Sequence, residues 1–300
     1  MKQDRTYDHS KSRQECSAPS HGCITADGKN PHIWCPGCGI GTVFSAVLAA
    51  IKNTGWDPNT IAMVSGIGCT GRMAGYIRLD SFHTTHGRAL PFATGLKLAK
   101  PDTKVIIVSG DGDLFAIGGN HFIHAARRNM DMTVVCVNNF NYGMTGGQQA
   151  PSTPLGAKTT TTVNGSPEEP FNLCDLAATC GATYVARWTA MQVRSLRSSI
   201  SEALEKRGFS FVEVITPCPS SFGRRNRMGT ALEMMKFYQG RSVIRSDIDP
   251  SEAVVDIDRE IVVGKFVDIE RPTFMDHYEK VNRLNLPQWR AMHPDHQKGR

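Results

Sequence analysis

The sequence has no hydrophobic run long enough to cross a membrane. Its longest apolar stretches, such as residues 43–51, reach only about half of the 20 residues that a membrane helix needs. The first residues are polar and lack the basic and apolar segments of a secretory signal. These absences predict a cytoplasmic protein that does not bind membranes.

The sequence also has little net charge, because 34 Lys and Arg against 28 Asp and Glu leave only +6. So mild a balance over 300 residues does not predict nucleic-acid binding. Nine cysteines are an odd number in a chain that otherwise looks cytoplasmic. They favour metal or cluster ligation over a disulfide framework.

Apolar strands alternate with helices along the chain and predict an α/β fold with a doubly wound, mostly parallel sheet. The predicted strands are residues 61–65, 105–109, 132–137, 184–186 and 209–215, and the helices are 42–53, 89–100, 121–129, 172–180 and 191–207. Residues 1–30 contain few aliphatic side chains and are expected to form an extended arm, which carries Cys16 and Cys23. Residues 31–228 are the predicted α/β domain. Residues 229–300, with a helix at 232–239 and a strand at 261–268, are a C-terminal extension expected to pack on the core or on a partner subunit.

Two motifs lack residues that their most familiar functions require. Residues 66–71 match the dinucleotide pattern G-x-G-x-x-G, but positions 86–91 provide no acidic side chain for a ribose. His83 and His86 have no glutamate between them and lie three residues apart, unlike the zinc motif H-E-x-x-H. His86 and Arg88 are better suited to donate hydrogen bonds to an anionic cofactor.

The most informative motif is the segment Gly-Asp-Gly-Asp at 110–113, which follows an apolar strand. About 25 residues later a second apolar strand ends in Asn138 and Asn139. A helix between them makes a β-α-β unit, whose right-handed crossover brings both strand ends to one edge of the sheet. Turn chemistry alone is the alternative. The spacing with its strand context resembles the thiamine diphosphate signature of thiamine-dependent enzymes.

The oxygen atoms of this motif suit Mg²⁺. Asp111 offers a carboxylate, Asn139 an amide oxygen and Asn141 a backbone carbonyl, while phosphates and water usually complete the roughly six ligands of the ion. Gly110 and Gly112 allow the backbone to approach a diphosphate closely. The motif therefore predicts a site for a diphosphate with its Mg²⁺ ion.

Four cysteines form a second constellation. Cys35 and Cys38 lie in one C-x-x-C turn, whereas Cys69 and Cys218 each follow a strand end. Four thiolates suit either a [4Fe–4S] cluster or a structural zinc ion. Two ligands that come singly from distant strands favour the cluster. Three further cysteines are expected to serve packing: Cys136, Cys174 and Cys180.

Together these motifs resemble the β subunits of the 2-oxoacid:ferredoxin oxidoreductases, over about residues 34–227. The motifs that carry the resemblance are Trp34-Cys-Pro-Gly-Cys-Gly39, Ser65-Gly-Ile-Gly-Cys-Thr-Gly71, His83-Thr-Thr-His-Gly-Arg88, Gly110-Asp-Gly-Asp113, Asn138-Asn139, Tyr142-Gly-Met-Thr-Gly-Gly-Gln148 and Pro217-Cys218. The fold that the resemblance implies is the diphosphate-binding domain of thiamine enzymes.

The resemblance also implies site residues. The [4Fe–4S] ligands would be Cys35, Cys38, Cys69 and Cys218, and the Mg²⁺ ligands Asp111, Asn139 and the Asn141 carbonyl. Thiamine diphosphate would be bound by Ile67, Gly68, Cys69, Thr70, His86, Gly112, Asp113, Gly143 and Met144. No catalytic residue is assigned to this chain, since the family's activating glutamate lies on another subunit.

The implied activity is the reversible, CoA-dependent oxidative decarboxylation of a 2-oxoacid. Electrons would pass from the thiamine enamine through the cluster to ferredoxin. The segments 69–73 and 222–228 look most like the members specific for 2-oxoglutarate, whose second carboxylate calls for arginine. Candidate arginines are Arg72, Arg224, Arg225 and Arg227, which can alternatively bind a partner subunit, CoA or ferredoxin. Pyruvate and branched-chain 2-oxoacids are alternative substrates, and a non-redox thiamine decarboxylase is an alternative activity.

One expected partner follows from what the chain lacks. It has no second α/β unit to bind the aminopyrimidine ring, which the family supplies on an α subunit. The chain is therefore expected to be inactive alone and to work in an (αβ)2 heterotetramer.

Overall fold

The computed structural model describes Thr25 and residues 31–283, so Cys16, Cys23 and most of the predicted arm lie outside the described residues. The helices are α1 (Ile40–Thr54), α2 (Ala89–Ala99), α3 (Gly119–Arg127), α4 (Leu173–Thr179), α5 (Val193–Glu205), α6 (Ala231–Arg241) and α7 (Phe274–Arg283). The strands are β1 (Ile61–Ser65), β2 (Asp80–His83), β3 (Lys104–Gly110), β4 (Met132–Asn138), β5 (Asn141–Tyr142), β6 (Gln148–Gln149), β7 (Tyr184–Thr189), β8 (Phe209–Ile215), β9 (Ser242–Ile244) and β10 (Ile261–Asp268).

Eight strands form one sheet in the order β2-β1-β3-β4-β8-β7-β10-β9. In this order, the first six strands, β2, β1, β3, β4, β8 and β7, run parallel to one another. Strand β10 pairs antiparallel with β7, and β9 pairs parallel with β10. The predicted α/β class with a mostly parallel sheet is confirmed.

Helices cover both faces of this sheet. One apolar layer contains Val47 of α1 and Leu196 of α5, and the opposite layer contains Leu90 of α2 and Phe122 of α3. All residues of β1, β4 and β8 are buried, as expected of parallel strands with a helix layer on each face. This double burial explains why those strands appear in the sequence as continuous apolar runs.

The predicted strands at 61–65, 209–215 and 261–268 have the bounds that the structure shows, and β7 runs three residues beyond its prediction. Strands β2 and β9 and helix α7 were not predicted. Strand β2 lies at the edge of the sheet with all four residues exposed, so it has no apolar run to reveal it. Within the described residues, no helix is both long and apolar enough to cross a membrane.

The C-terminal segment adds to the core in the described part of the chain. Strand β10 extends the sheet beside β7, and Met234 and Tyr238 of α6 are buried in the apolar layer that contains α1. Lys206, just after α5, pairs with Asp268 at 2.8 Å. The segment up to residue 283 therefore closes one end of the sheet, while the parallel strand ends remain available for a site.

Candidate cofactor and metal site

The turns that follow β1, β2 and β3 meet at the buried carboxylate of Asp113. One oxygen, Oδ1, accepts hydrogen bonds from the backbone N–H groups of Ile67 at 3.1 Å and Gly87 at 2.7 Å. The other, Oδ2, accepts from the Ser109 hydroxyl at 2.8 Å. A Cβ atom at Gly66 would lie 1.8 Å from this carboxylate, so only glycine fits there. Asp113 thus holds three turns in one arrangement.

Asp113 also orients His86. The Nδ1 atom of His86 lies 2.5 Å from Asp113 Oδ1. Because an ionised carboxylate only accepts hydrogen bonds, Nδ1 carries the hydrogen and Nε2 is left for another partner. The His86 side chain is 34% exposed and borders the cleft between the turns. His86 is therefore fixed in place with one ring nitrogen available to a ligand.

The cleft itself is lined by fifteen residues: Ile67, Gly68, Cys69, Thr70, His86, Gly110, Asp111, Gly112, Asp113, Asn139, Asn141, Tyr142, Gly143, Met144 and Thr145. These include all nine residues predicted for thiamine diphosphate and all three predicted for Mg²⁺. The structure therefore brings together the two sets that the sequence motifs suggested. Tyr142 and Thr145 were not predicted as site residues, although both belong to the motif at 142–148.

Asp111 lies in this cleft, and none of the described residues gives it a charged hydrogen-bond partner. Burial raises the pKa of its carboxyl group to about 7, although hydrogen bonds from Ser152 and from backbone amides act in the opposite direction. The Ser152 hydroxyl lies 2.5 Å from Asp111 Oδ2. Ser152 was not predicted, because it lies 41 positions along the chain in a long loop without a motif of its own. A buried carboxylate of this kind is well suited to a cation.

Asn139 provides a second oxygen that lacks a partner. Its Oδ1 atom is buried and accepts no hydrogen bond from the described residues. The Asn141 side chain donates to the Asn139 carbonyl at 2.6 Å, which closes the turn. An uncompensated carboxylate together with an unsatisfied amide oxygen matches the ligand preference of Mg²⁺. The residues present therefore fit the predicted ion.

The four predicted cluster cysteines come together beside this cleft. Burial raises the pKa of Cys69 to about 11, and the nearby thiols of Cys218, Cys38 and Cys35 act in the same direction. All four are free thiols. The Cys35-Cys38 turn is closed by a hydrogen bond from the Cys38 N–H to the Cys35 carbonyl at 3.1 Å.

The four cysteines could hold either a [4Fe–4S] cluster or a zinc ion. In the part of the chain that the structure describes, no three His, Cys, Asp or Glu side chains surround a single ion position. Four free thiols are a donor set that suits a [4Fe–4S] cluster as well as a zinc ion.

The other predicted residues lie apart from the cleft. The side chains of Arg72, Arg224, Arg225 and Arg227 are exposed and do not line it. Their contact with substrate stays a prediction. Cys136 and Cys174 are fully buried, as expected for packing, and the Cys174 thiol also donates to Glu213 at 3.2 Å.

Comparison with known proteins yields one family model. Residues 66–214 match the thiamine pyrophosphate enzyme, C-terminal TPP binding domain. The match runs from the turn after β1 into β8 and includes every residue that lines the cleft. It supports thiamine diphosphate as the ligand of the cleft.

Several relatives are similar over most of their length. The 2-oxoglutarate synthase subunit KorB of Methanothermobacter marburgensis is 49% identical over 249 residues, which cover 82% of this chain and 86% of that protein. KorB of Archaeoglobus fulgidus is 50% identical over 258 residues, which cover 85% of this chain and 91% of that protein. A solved 2-oxoglutarate:ferredoxin oxidoreductase from Magnetococcus marinus, with 2-oxoglutarate, coenzyme A and succinyl-CoA bound, superposes with a TM-score of 0.79. That match has 30% identity and covers 94% of this chain and 98% of the other.

Proposed function

This chain belongs to the family of 2-oxoglutarate synthase KorB subunits, and we propose that it is the β subunit of a 2-oxoglutarate:ferredoxin oxidoreductase. The family and the oxidoreductase class agree with the motifs in the sequence. The reaction converts 2-oxoglutarate and CoA to succinyl-CoA and CO2, and two electrons pass to ferredoxin. It is reversible, and the names of the relatives and of the solved neighbour support 2-oxoglutarate as the substrate.

The observation that carries this proposal is the shared cleft. The unpaired Asn139 oxygen and the Asp111 carboxylate lie in the same cleft as Cys69, which also belongs to the group of four thiols. Asp111, Asn139 and the Asn141 carbonyl would hold Mg²⁺. Cys35, Cys38, Cys69 and Cys218 would hold the [4Fe–4S] cluster. When bound, thiamine diphosphate supplies an electron sink for decarboxylation and the cluster accepts the electrons released.

The residues of this chain bind and orient these groups. Asp113 holds His86 beside the cleft through Nδ1, so Nε2 is the ring nitrogen left for a ligand. Gly68 and Gly143, which line the cleft without side chains, allow the cofactor to approach the backbone. Cys69 lines the cleft and belongs to the group of four thiols, so a cofactor bound in the cleft would have a short electron path to a cluster held by those thiols.

The active assembly requires a second chain. We expect an α subunit to supply the pyrimidine-binding domain with its activating glutamate and the complex to be an (αβ)2 heterotetramer in the cytoplasm. The exposed arginines, Arg72 and those at 224, 225 and 227, are candidates to meet the second carboxylate of the substrate or an acidic face of a partner.

The test is an anaerobic assay of the chain co-produced with its α subunit. We expect CoA-dependent viologen reduction with 2-oxoglutarate and little with pyruvate or 2-oxoisovalerate. Preference for pyruvate would overturn the substrate assignment while leaving the cofactor sites intact.

In a matched pair of variants, Cys218→Ser should lose cluster iron and viologen reduction, whereas Cys180→Ser, which changes a cysteine outside the group, should keep both. Full activity of Cys218→Ser would overturn the cluster assignment.

A further inference from the structure

A buried ion pair lies one strand away from the cation site. Arg187 of β7 and Glu213 of β8 are both fully buried, and Arg187 Nε donates to Glu213 Oε2 at 2.7 Å. The guanidinium also donates to the carbonyl of Ala253 and, at 3.0 Å, to the Asn172 side chain. Glu213 thus faces a permanent cation, and each of the three guanidinium nitrogens donates at least one hydrogen bond.

The second carboxylate oxygen points to the neighbouring strand. Glu213 Oε1 accepts a hydrogen bond from Asn138 Nδ2 at 2.8 Å. In the parallel register, Glu213 lies opposite Cys136, so Asn138 is the next residue of β4 on the same face. Because a carboxylate only accepts hydrogen bonds, it fixes the Asn138 amide with Nδ2 towards β8 and Oδ1 towards the following turn.

The oriented Asn138 oxygen holds a strained residue. It accepts a hydrogen bond from the backbone N–H of Phe140 at 3.1 Å, and Phe140 has φ of 63°. Bulky residues rarely adopt this left-handed conformation. The Phe140 carbonyl is held from the other side by the Thr153 hydroxyl at 2.7 Å. Phe140 separates Asn139 from Asn141, so its conformation decides where their oxygen atoms point.

We propose that Glu213 is a positioning residue for the cation-binding turn. With Arg187 as its counter-ion, Glu213 orients the Asn138 amide, and that amide holds Phe140 in the conformation that presents the Asn139 and Asn141 oxygens. This inference rests on the metal site of the proposed function. Glu213 does not line the cleft and would act only through Asn138.

The alternative is an ion pair that only stabilises the sheet, and cation affinity separates the two roles. Asn138→Ala removes the link and keeps the ion pair. The double variant Arg187→Met/Glu213→Leu removes the ion pair without leaving a single buried charge, which would be strongly destabilising. Ser199→Ala in α5 is the control. It removes a buried hydrogen bond to Tyr184, which lies in β7 like Arg187 but at the end of the strand away from the turn.

The measurement is an electron paramagnetic resonance titration of the metal-free α/β complex with Mn²⁺ at a fixed concentration of thiamine diphosphate. Loss of a partner that orients metal ligands commonly weakens metal affinity by about 10–100-fold. We expect the Mn²⁺ dissociation constant to rise by about that factor in Asn138→Ala and in the double variant, and to be unchanged in Ser199→Ala.

Two other results would overturn the inference, and they differ from each other. If the wild-type complex binds Mn²⁺ and Asn138→Ala binds it equally well, the ion pair is purely structural while the proposed metal site stands. If the wild-type complex binds no Mn²⁺ with thiamine diphosphate present, the metal site of the proposed function fails and the positioning role fails with it.

Discussion

Two buried carboxylates on nearby strands have opposite surroundings. Glu213 on β8 faces Arg187 and also accepts hydrogen bonds from Asn138 and Cys174. Among the described residues, Asp111, just after β3, has only neutral hydrogen-bond partners, and burial raises its pKa to about 7. The fold thus neutralises one buried charge with its own side chain and gives the other no counter-ion among the described residues.

The difference separates a structural charge from a functional one. A carboxylate that a protein buries for stability is paired within the chain, since an unpaired buried charge is costly. A carboxylate buried without a cation, next to an Asn139 oxygen that accepts no hydrogen bond from the described residues, is costly, and a bound cation would offset that cost. Burial alone does not distinguish the two residues, but their partners do.

The largest effect on stability should come from removing Glu213, the buried carboxylate that has a counter-ion. Glu213→Ala leaves Arg187 buried without a counter-ion, so we expect the free energy of unfolding to fall by about 3–5 kcal/mol. Urea unfolding of the metal-free protein measures this loss. Arg187→Met/Glu213→Leu should recover most of the stability, because apolar side chains of similar volume need no counter-ion. If the double variant is less stable than Glu213→Ala, the ion pair is not the reason for the loss.

Removing Asp111, the buried carboxylate without a counter-ion among the described residues, should change stability in the opposite direction. Between its ordinary pKa of 3.8 and the folded value of about 7, Asp111 ionises in the unfolded chain only, so the stability penalty grows with pH and is complete above about pH 7. Each factor of ten by which folding raises the proton affinity of Asp111 corresponds to about 1.4 kcal/mol of stability lost at high pH. After allowance for lost hydrogen bonds, Asp111→Asn should stabilise the metal-free protein by about 2–3 kcal/mol at pH 8.

Thermal unfolding in a chelator at pH 8 and pH 5 checks this prediction. The gain should shrink at pH 5, and the variant should bind no Mn²⁺. Asp102→Asn, in an exposed turn before β3, is the matched control and should change neither property. If Asp111→Asn is no more stable than the wild-type protein at pH 8, the buried Asp111 carboxylate does not destabilise the folded protein.

The two carboxylates also differ in how far the sequence reveals them. Asp111 lies in a short turn pattern between glycines after an apolar strand, so its chemistry and its place at the sheet edge follow from local sequence. Glu213 interrupts an apolar strand without a motif, and its partner Arg187 lies 26 residues away. Only the pairing of β7 with β8 brings these two together, and strand register is a long-range property. The same limit hid Ser152, which lies 41 positions from Asp111.

The smallest effect tests the neutral partner of Asp111. The Ser152 hydrogen bond lowers the pKa of Asp111 against the effect of burial, so Ser152→Ala should raise that pKa further above its ordinary value. Because the ion binds the carboxylate form, its binding should then require a higher pH. A hydrogen bond to a charged group contributes about 1.5 kcal/mol, so Mn²⁺ affinity at pH 7 should fall roughly tenfold.

The control for this variant is Ser201→Ala in α5, where the buried hydroxyl has no hydrogen-bond partner among the described residues. Mn²⁺ titrations of both variants between pH 6 and pH 9 give the comparison. The affinity of Ser152→Ala should approach that of the wild-type complex as the pH rises, since Asp111 then ionises without help from the hydroxyl. A loss of affinity that stays the same at every pH would mean that Ser152 shapes the site by packing and not by its hydrogen bond.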